Sequence, residues 1–317
     1  MIIVRITSGL GNQLFQYATA KNLAIKHKTV LKIDRINYFS DRLRSFELDW
    51  LNADLKFVTT RDLLGIYPAE GFALCLLRPL IGRKKAARLL LWYENRIRHF
   101  QSEYNKPFAH TRPLMRKRVL IQRYYHYDEE ISGSPDNIYL IGYFQSWKYF
   151  DEIRDELIRE LQPPDSPEGE NREILSKIEA CNSVAVHVRR GDYFSIEENR
   201  RLFGVYDMGY FHNAIEMISK KIPNPVFFVF SDDIDWVRKN LVSDQKMIYV
   251  GNNRNNPAED LRLMYSCRHD ILSNSSFSWW GAWLNQNKDK IVIAPEKWLS
   301  DEEYDTSDLI PPGWIRL

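Results

Sequence analysis

The chain has 317 residues, 44% hydrophobic and 27% charged, with a formal net charge of +2. That length fits two domains, each with its own core. A charge so close to neutral provides no overall field for nucleic acid, and no nucleic-acid partner is expected. Cys75, Cys181 and Cys267 lie far apart without metal-ligand spacing, which suggests reduced thiols in a cytosolic protein. The start of the chain runs straight into an apolar segment, so no signal peptide is expected, and no stretch approaches the length of a membrane-spanning helix.

Residues 1–6 read as a buried strand. A glycine-containing turn follows at 7–13, then a helix with Leu14, Tyr17, Ala18, Ala24 and Ile25 at helical spacing, then a strand at 30–33. This is a βαβ unit. Its Gly9-Leu10-Gly11 lacks the third glycine of a dinucleotide fingerprint, so the turn is either a tight connection or a ligand-facing one. Asn12 and Gln13 are placed to cap the helix or to reach a polar ligand.

A helical insertion is expected at about 60–125. It is rich in arginine and lysine around two apolar runs, 72–77 and 89–93. Such a segment either lies on an anionic membrane surface or closes a cleft with a solvated basic face. The expected location is therefore the cytoplasm, with peripheral contact at the inner membrane face as one reading. A strand follows at 138–144 and an amphipathic helix at 150–161.

The polar run 162–169, with Pro163, Pro164, Pro167 and Gly169, reads as a boundary. It separates an N-terminal domain, 1–165, from a C-terminal domain, 166–300, with a tail at 301–317. Strands are expected at 184–188, 226–230, 247–250, 269–272 and 291–294. Helices are expected between them and at 277–286. Alternating elements with near-continuous apolar strands predict an α/β fold with parallel sheets covered by helices.

Polar residues gather at the carboxyl ends of three of these strands, where open α/β sheets bind ligands. After the buried run Val184-Ala185-Val186 come His187, Arg189, Arg190, Gly191 and Asp192. Arginine offers a planar fork of donors that matches phosphate oxygens. The second end is Ser231-Asp232-Asp233. The third is Ser273-Asn274-Ser275-Ser276, opening a helix at Phe277; a helix start offers unpaired N–H groups and the positive end of a dipole. Each cluster also has a structural reading, as ion pairs or helix caps. Together they suit a nucleoside diphosphate: arginines and helix start on the phosphates, a carboxylate on base or ribose. Asp233 and Asp235 resemble a metal-binding pair, but the arginines already neutralise a diphosphate and Asp235 suits a cap, so no metal is expected. Trp279, Trp280 and Trp283 read as domain core.

Five blocks occur in a telling order. They are GLGNQLFQY at 9–17, GYFQS at 142–146, HVRRGDY at 187–193, SDD at 231–233 and DILSNSSFSWWGAWL at 270–284. Together they resemble the α-1,2-fucosyltransferases of glycosyltransferase family 11. The resemblance implies a GT-B-like fold of two Rossmann-like domains facing a cleft. It implies GDP-L-fucose as donor on the C-terminal domain and a galactose-terminated glycan as acceptor, held largely by the N-terminal domain. It further implies an inverting reaction without a metal or other cofactor; the oligomeric state stays open. On this reading Arg189 stabilises charge developing on the leaving GDP, with Arg190 positioning or sharing that load. Asp192 is either the general base or an ion-pair partner that orients Arg189. Asn12 contacts fucose or acceptor. His187, Ser231, Asp232, Asp233, Asn274, Ser275, Ser276 and Phe277 complete the donor site.

Overall fold

The computed structural model describes residues 1–39, 41, 43–63, 118–122, 125–191, 197, 208–300 and 304–317. Most of the basic insertion, Cys75 and Asp192 lie outside the described residues. The chain divides into two compact units. One is Met1–Asp49, Asp54–Phe144 and Lys148–Ile153; the other is Trp50–Ala53, Gln145–Trp147 and Arg154–Leu317. The second unit thus begins before the proline-rich run read as a boundary. Among the described residues no helix is long and apolar enough to cross a membrane.

The first unit is built on a parallel sheet of order β2-β1-β4-β3. Its strands are β1 (Ile2–Arg5), β2 (Leu31–Asp34), β3 (Val119–Ile121) and β4 (Ile138–Ile141). β3 falls inside the stretch expected to be helical. All of β1 is buried, as suits an inner parallel strand. Arg5 is the polar exception. Its Nε and Nη2 donate to Tyr139 Oη at 2.9 and 2.6 Å, and that hydroxyl donates to Asp34 Oδ2 at 2.5 Å. A buried cation is tolerated here because its partners are satisfied in turn.

The helix Leu10–Lys26 starts at Gly9 without a side-chain cap from that residue. Glu47 supplies one from a distant loop: its Oε2 accepts from Leu10 N at 2.9 Å, placing a carboxylate at the positive end of the helix. Gln13 does not cap. Its Nε2 donates to Ser8 O at 2.9 Å and Ser45 O at 2.8 Å, and its Oε1 accepts from Glu47 N at 2.9 Å.

The second unit carries a parallel sheet of order β10-β9-β8-β5-β6-β7. Its strands are β5 (Asn182–Val188), β6 (Pro225–Ser231), β7 (Lys246–Val250), β8 (His269–Ile271), β9 (Val292–Ala294) and β10 (Ile315–Arg316). Read from the other edge this is a doubly wound order whose direction reverses between β5 and β8. Val184, Val186 and Val188 alternate onto one face, where they pack with Phe227, Val229 and the helix Met208–Lys221. Full burial of each such side chain stabilises by about 1.5–3 kcal/mol. His187 points to the opposite face, toward the helix Ser276–Leu284.

Residues expected to form a separate tail belong to this unit. β10 extends the sheet, and Trp279 Nε1 donates to Leu309 O at 2.7 Å. Trp279, Trp280 and Trp283 are buried core, as expected. Two parallel-sheet α/β units agree with the GT-B-like expectation.

Candidate active site

Three strand ends meet in the second unit because the registers put them side by side. Val188 pairs with Ser231 and Val186 with Ile271, so the chain leaves β6, β5 and β8 at neighbouring points. The reversal of strand order lies between β5 and β8, which is where a crevice opens in such sheets.

The two arginines are held from β6. Arg189 Nη1 lies 3.1 Å from Asp232 Oδ2, and Asp232 Oδ1 accepts from Arg190 N at 2.9 Å. Arg190 Nε donates to Asp233 Oδ2 at 3.2 Å, and its guanidinium sits 3.7 Å from the Trp236 ring centroid. Both arginine side chains are largely buried, at 18% and 14% exposure, so their charges are less screened than surface ones. Charge-assisted bonds of this kind fix a guanidinium plane, and an arginine over an indole gains a further cation–π contact.

Gly191 is required for space rather than for backbone freedom. Its φ lies outside the left-handed region, but a Cβ there would sit 2.5 Å from Asp232 Oδ2. Ser231 ties the two strand ends together: its hydroxyl donates to Val188 O at 2.7 Å and accepts from Asp233 N at 3.0 Å. Asp233 occupies the N-cap position of the helix Ile234–Asn240 but makes no side-chain cap there; its carboxylate is on Arg190. The carboxylates read as base or ribose contacts therefore each engage an arginine.

At the third strand end, Ser275 is the N-cap of the helix Ser276–Leu284, accepting from Phe277 N at 3.3 Å. Asn274 is buried and donates to Trp298 O at 3.2 Å. Ser276, half-buried at the helix start, is the hydroxyl of this block best placed to meet an anion along with the first backbone N–H groups. His187 bridges β5 to this segment, with Nδ1 3.0 Å from Ser273 Oγ and its ring 5.6 Å from that of Phe277. Burial, reinforced by Arg189 and opposed by Asp232, pushes the His187 pKa down to about 4. At neutral pH the ring therefore carries no charge and offers one N–H and one lone pair.

The structure thus gathers His187, Arg189, Arg190, Ser231, Asp232, Asp233, Asn274, Ser275, Ser276 and Phe277 on one sheet edge. Asp192 lies outside the described residues; among those described, the carboxylate against Arg189 is Asp232. Asn12 belongs to the first unit, half-buried in the opening turn of the helix Leu10–Lys26. Trp236 escaped the sequence reading, because nothing local marks an indole as the seat of a distant arginine.

These fixed cations and a helix start, at the switch point of a doubly wound sheet, can hold a diphosphate and stabilise charge growing on it. The family model described as glycosyl transferase family 11 matches residues 1–317. An α-1,2-colitosyltransferase of Escherichia coli is 33% identical, covering 100% of this chain and 99% of its own. The O-antigen biosynthesis glycosyltransferase WbnK of the same organism is 31% identical over 98% of this chain and 99% of its own. Galactoside α-(1,2)-fucosyltransferase 2 of Rattus norvegicus is 33% identical over 45% of this chain and 42% of its own. With the match to the family model running from the first residue to the last, the chain belongs to glycosyltransferase family 11.

Proposed function

We propose that this protein transfers L-fucose from GDP-L-fucose to the 2-hydroxyl of a terminal galactose on a glycan, inverting the anomeric carbon. The observation that carries the reading is the arginine pair at the end of β5, Arg189 held by Asp232 and Arg190 by Asp233. The α-1,2 linkage in the names of two relatives supports the regiochemistry.

In a single displacement the bond from the sugar C1 to the β-phosphate oxygen breaks as the acceptor O2 bonds to C1. The proton on O2 passes to a base, and the electron pair leaves with GDP. Arg189 is assigned the role of stabilising that growing charge, which is usually the largest catalytic contribution. Arg190 shares or steadies it. Neutral His187 and the Ser276 hydroxyl supply further hydrogen bonds to phosphate or sugar. Asp233, whose side chain is 42% exposed, can also accept from ribose. Asp192 is the candidate base and Asn12 the first unit's candidate contact to sugar. The diphosphate charge is met by arginine, without a metal.

A second donor has a specific observation behind it, the name of the E. coli relative that covers the whole chain. Colitose is fucose without its 3-hydroxyl. A site that hydrogen-bonds that hydroxyl rejects the deoxy sugar by about 10⁴-fold, whereas one that leaves it unbound accepts both. Parallel assays with GDP-fucose and GDP-colitose on a galactoside, with linkage analysis of the product, decide the donor. The site itself is tested by titrating GDP in the presence of EDTA. Arg189→Ala should weaken binding by about 2–4 kcal/mol. Binding that needs a metal, or ignores the substitution, rejects the assignment.

A further inference from the structure

The block Gly142-Tyr143-Phe144-Gln145-Ser146 has no part in the donor site, yet the first unit holds its front half rigidly. Phe144 has φ +53°, a conformation costly for a bulky side chain, while its ring is wholly buried. Ser8, at the end of β1, has φ +66°. The other non-glycine residues with positive φ among those described are Lys28, Asn137 and Asn224, each shortly before a strand. Ser8 and Phe144 instead follow β1 and β4, which are adjacent and parallel. Strain of this kind, on the order of 1–3 kcal/mol per residue, persists where surrounding contacts enforce it, and it clusters at functional sites.

Those contacts are present. Gln122 Oε1 accepts from both Tyr143 N and Phe144 N at 2.8 Å. A Cβ on Gly142 would lie 2.5 Å from Gln122 Cβ, so only glycine lets this side chain in. Gln16 clamps the two loops together, accepting from Thr7 N and donating to Gly142 O, each at 2.9 Å. Tyr38 Oη donates to Ser8 O at 2.6 Å. The outcome is a fixed shelf: Ser8 Oγ lies 3.3 Å from Tyr143 Oη, and Tyr143 is 38% exposed beside buried Phe144.

Core packing accounts for Phe144, whose buried ring lies 6.0 Å from that of Tyr149, but not for Tyr143, which the same turn presents outward. A rigid aromatic face bordered by two hydroxyls matches a pyranose, which has an apolar C–H face and a rim of hydroxyl groups. The shelf also lies beyond the carboxyl ends of the adjacent parallel strands β1 and β4, the side on which open parallel sheets bind ligands. We propose that Ser8 and Tyr143 form a hexopyranose subsite on the first unit, which receives the terminal galactose of the acceptor. The identity of the sugar rests on the transferase reading above; the subsite itself rests on the shelf.

The test uses full-length wild type, Tyr143→Ala, Tyr143→Phe and Ser8→Gly. Glycine at position 8 keeps the positive φ and removes the hydroxymethyl group. Binding of methyl β-galactoside is followed by saturation-transfer NMR without donor, KM for a galactoside by transfer from GDP-fucose, and Kd for GDP by calorimetry. Loss of the ring in Tyr143→Ala should abolish the NMR signal and raise the acceptor KM about tenfold or more, with GDP affinity within about twofold of wild type. Tyr143→Phe should retain most binding, and Ser8→Gly should fall between. An acceptor KM unchanged in Tyr143→Ala, or a parallel fall in GDP affinity, overturns the subsite. Absent transfer with a Tyr143-dependent galactoside signal would reject the transferase reading and leave the subsite standing.

Discussion

Replacing Gly191 with alanine should damage GDP binding through a residue on another strand. The added Cβ would lie 2.5 Å from Asp232 Oδ2 and 3.1 Å from its Cγ. Asp232 cannot simply swing aside, since its two oxygens hold Arg189 Nη1 at 3.1 Å and Arg190 N at 2.9 Å. A hydrogen bond to a charged group is worth about 1.5–3 kcal/mol. With the Asp232 side chain 25% exposed, solvent screening lowers the expected loss to roughly 1–2 kcal/mol. GDP affinity should therefore fall about tenfold, one decade for each 1.4 kcal/mol. The assay is calorimetric titration of GDP into wild type, Gly191→Ala, Asp232→Ala and the double variant. Once Asp232 is truncated, the alanine at 191 has no carboxylate to displace, so the double variant should bind GDP like Asp232→Ala alone. Wild-type affinity in Gly191→Ala, or two losses that add, would refute the idea that glycine is there to admit Asp232.

Two further outcomes concern stability. His187 has its pKa depressed to about 4 in the folded state by burial, against an ordinary 6.5. Between those values the unfolded chain binds the extra proton, so His187 leaves stability intact above pH 6.5 and erodes it down to pH 4, by on the order of 3 kcal/mol. Urea unfolding of wild type and His187→Gln across that range should show the gap between them closing, or reversing, as pH falls; a constant gap contradicts a buried neutral imidazole. Trp279→Phe removes the donor to the buried Leu309 carbonyl and leaves space beside Trp283 and Trp314. It should cost about 2–4 kcal/mol in urea unfolding while leaving GDP affinity unchanged. A variant as stable as wild type would mean that residues 304–317 contribute little to the second core.

The strands, the parallel α/β class and the three polar strand ends were legible in the sequence, because each depends on near neighbours. An apolar run four to seven residues long marks a buried parallel strand wherever it packs, and Val184-Ala185-Val186 could not end in two arginines without a partner for their charge. β3 lies in a basic stretch read as helical, and β10, at two residues, carries too little pattern to be seen. The motif at 187–193 also named its own glycine, but not the reason for it.

What the tertiary structure alone decided is which carboxylate serves which cation. Asp232, far from Arg189 along the chain, reaches it in space because the β5–β6 register sets Val188 beside Ser231. Likewise Glu47, far along the chain, caps the helix whose first turn holds Asn12 and Gln13. Residue types, strand periods and strand-end chemistry follow from local physics and can be read in one dimension. Ion-pair partners, caps and the space a glycine keeps open depend on distances between segments far apart in the chain, and those distances exist only once the sheet has formed.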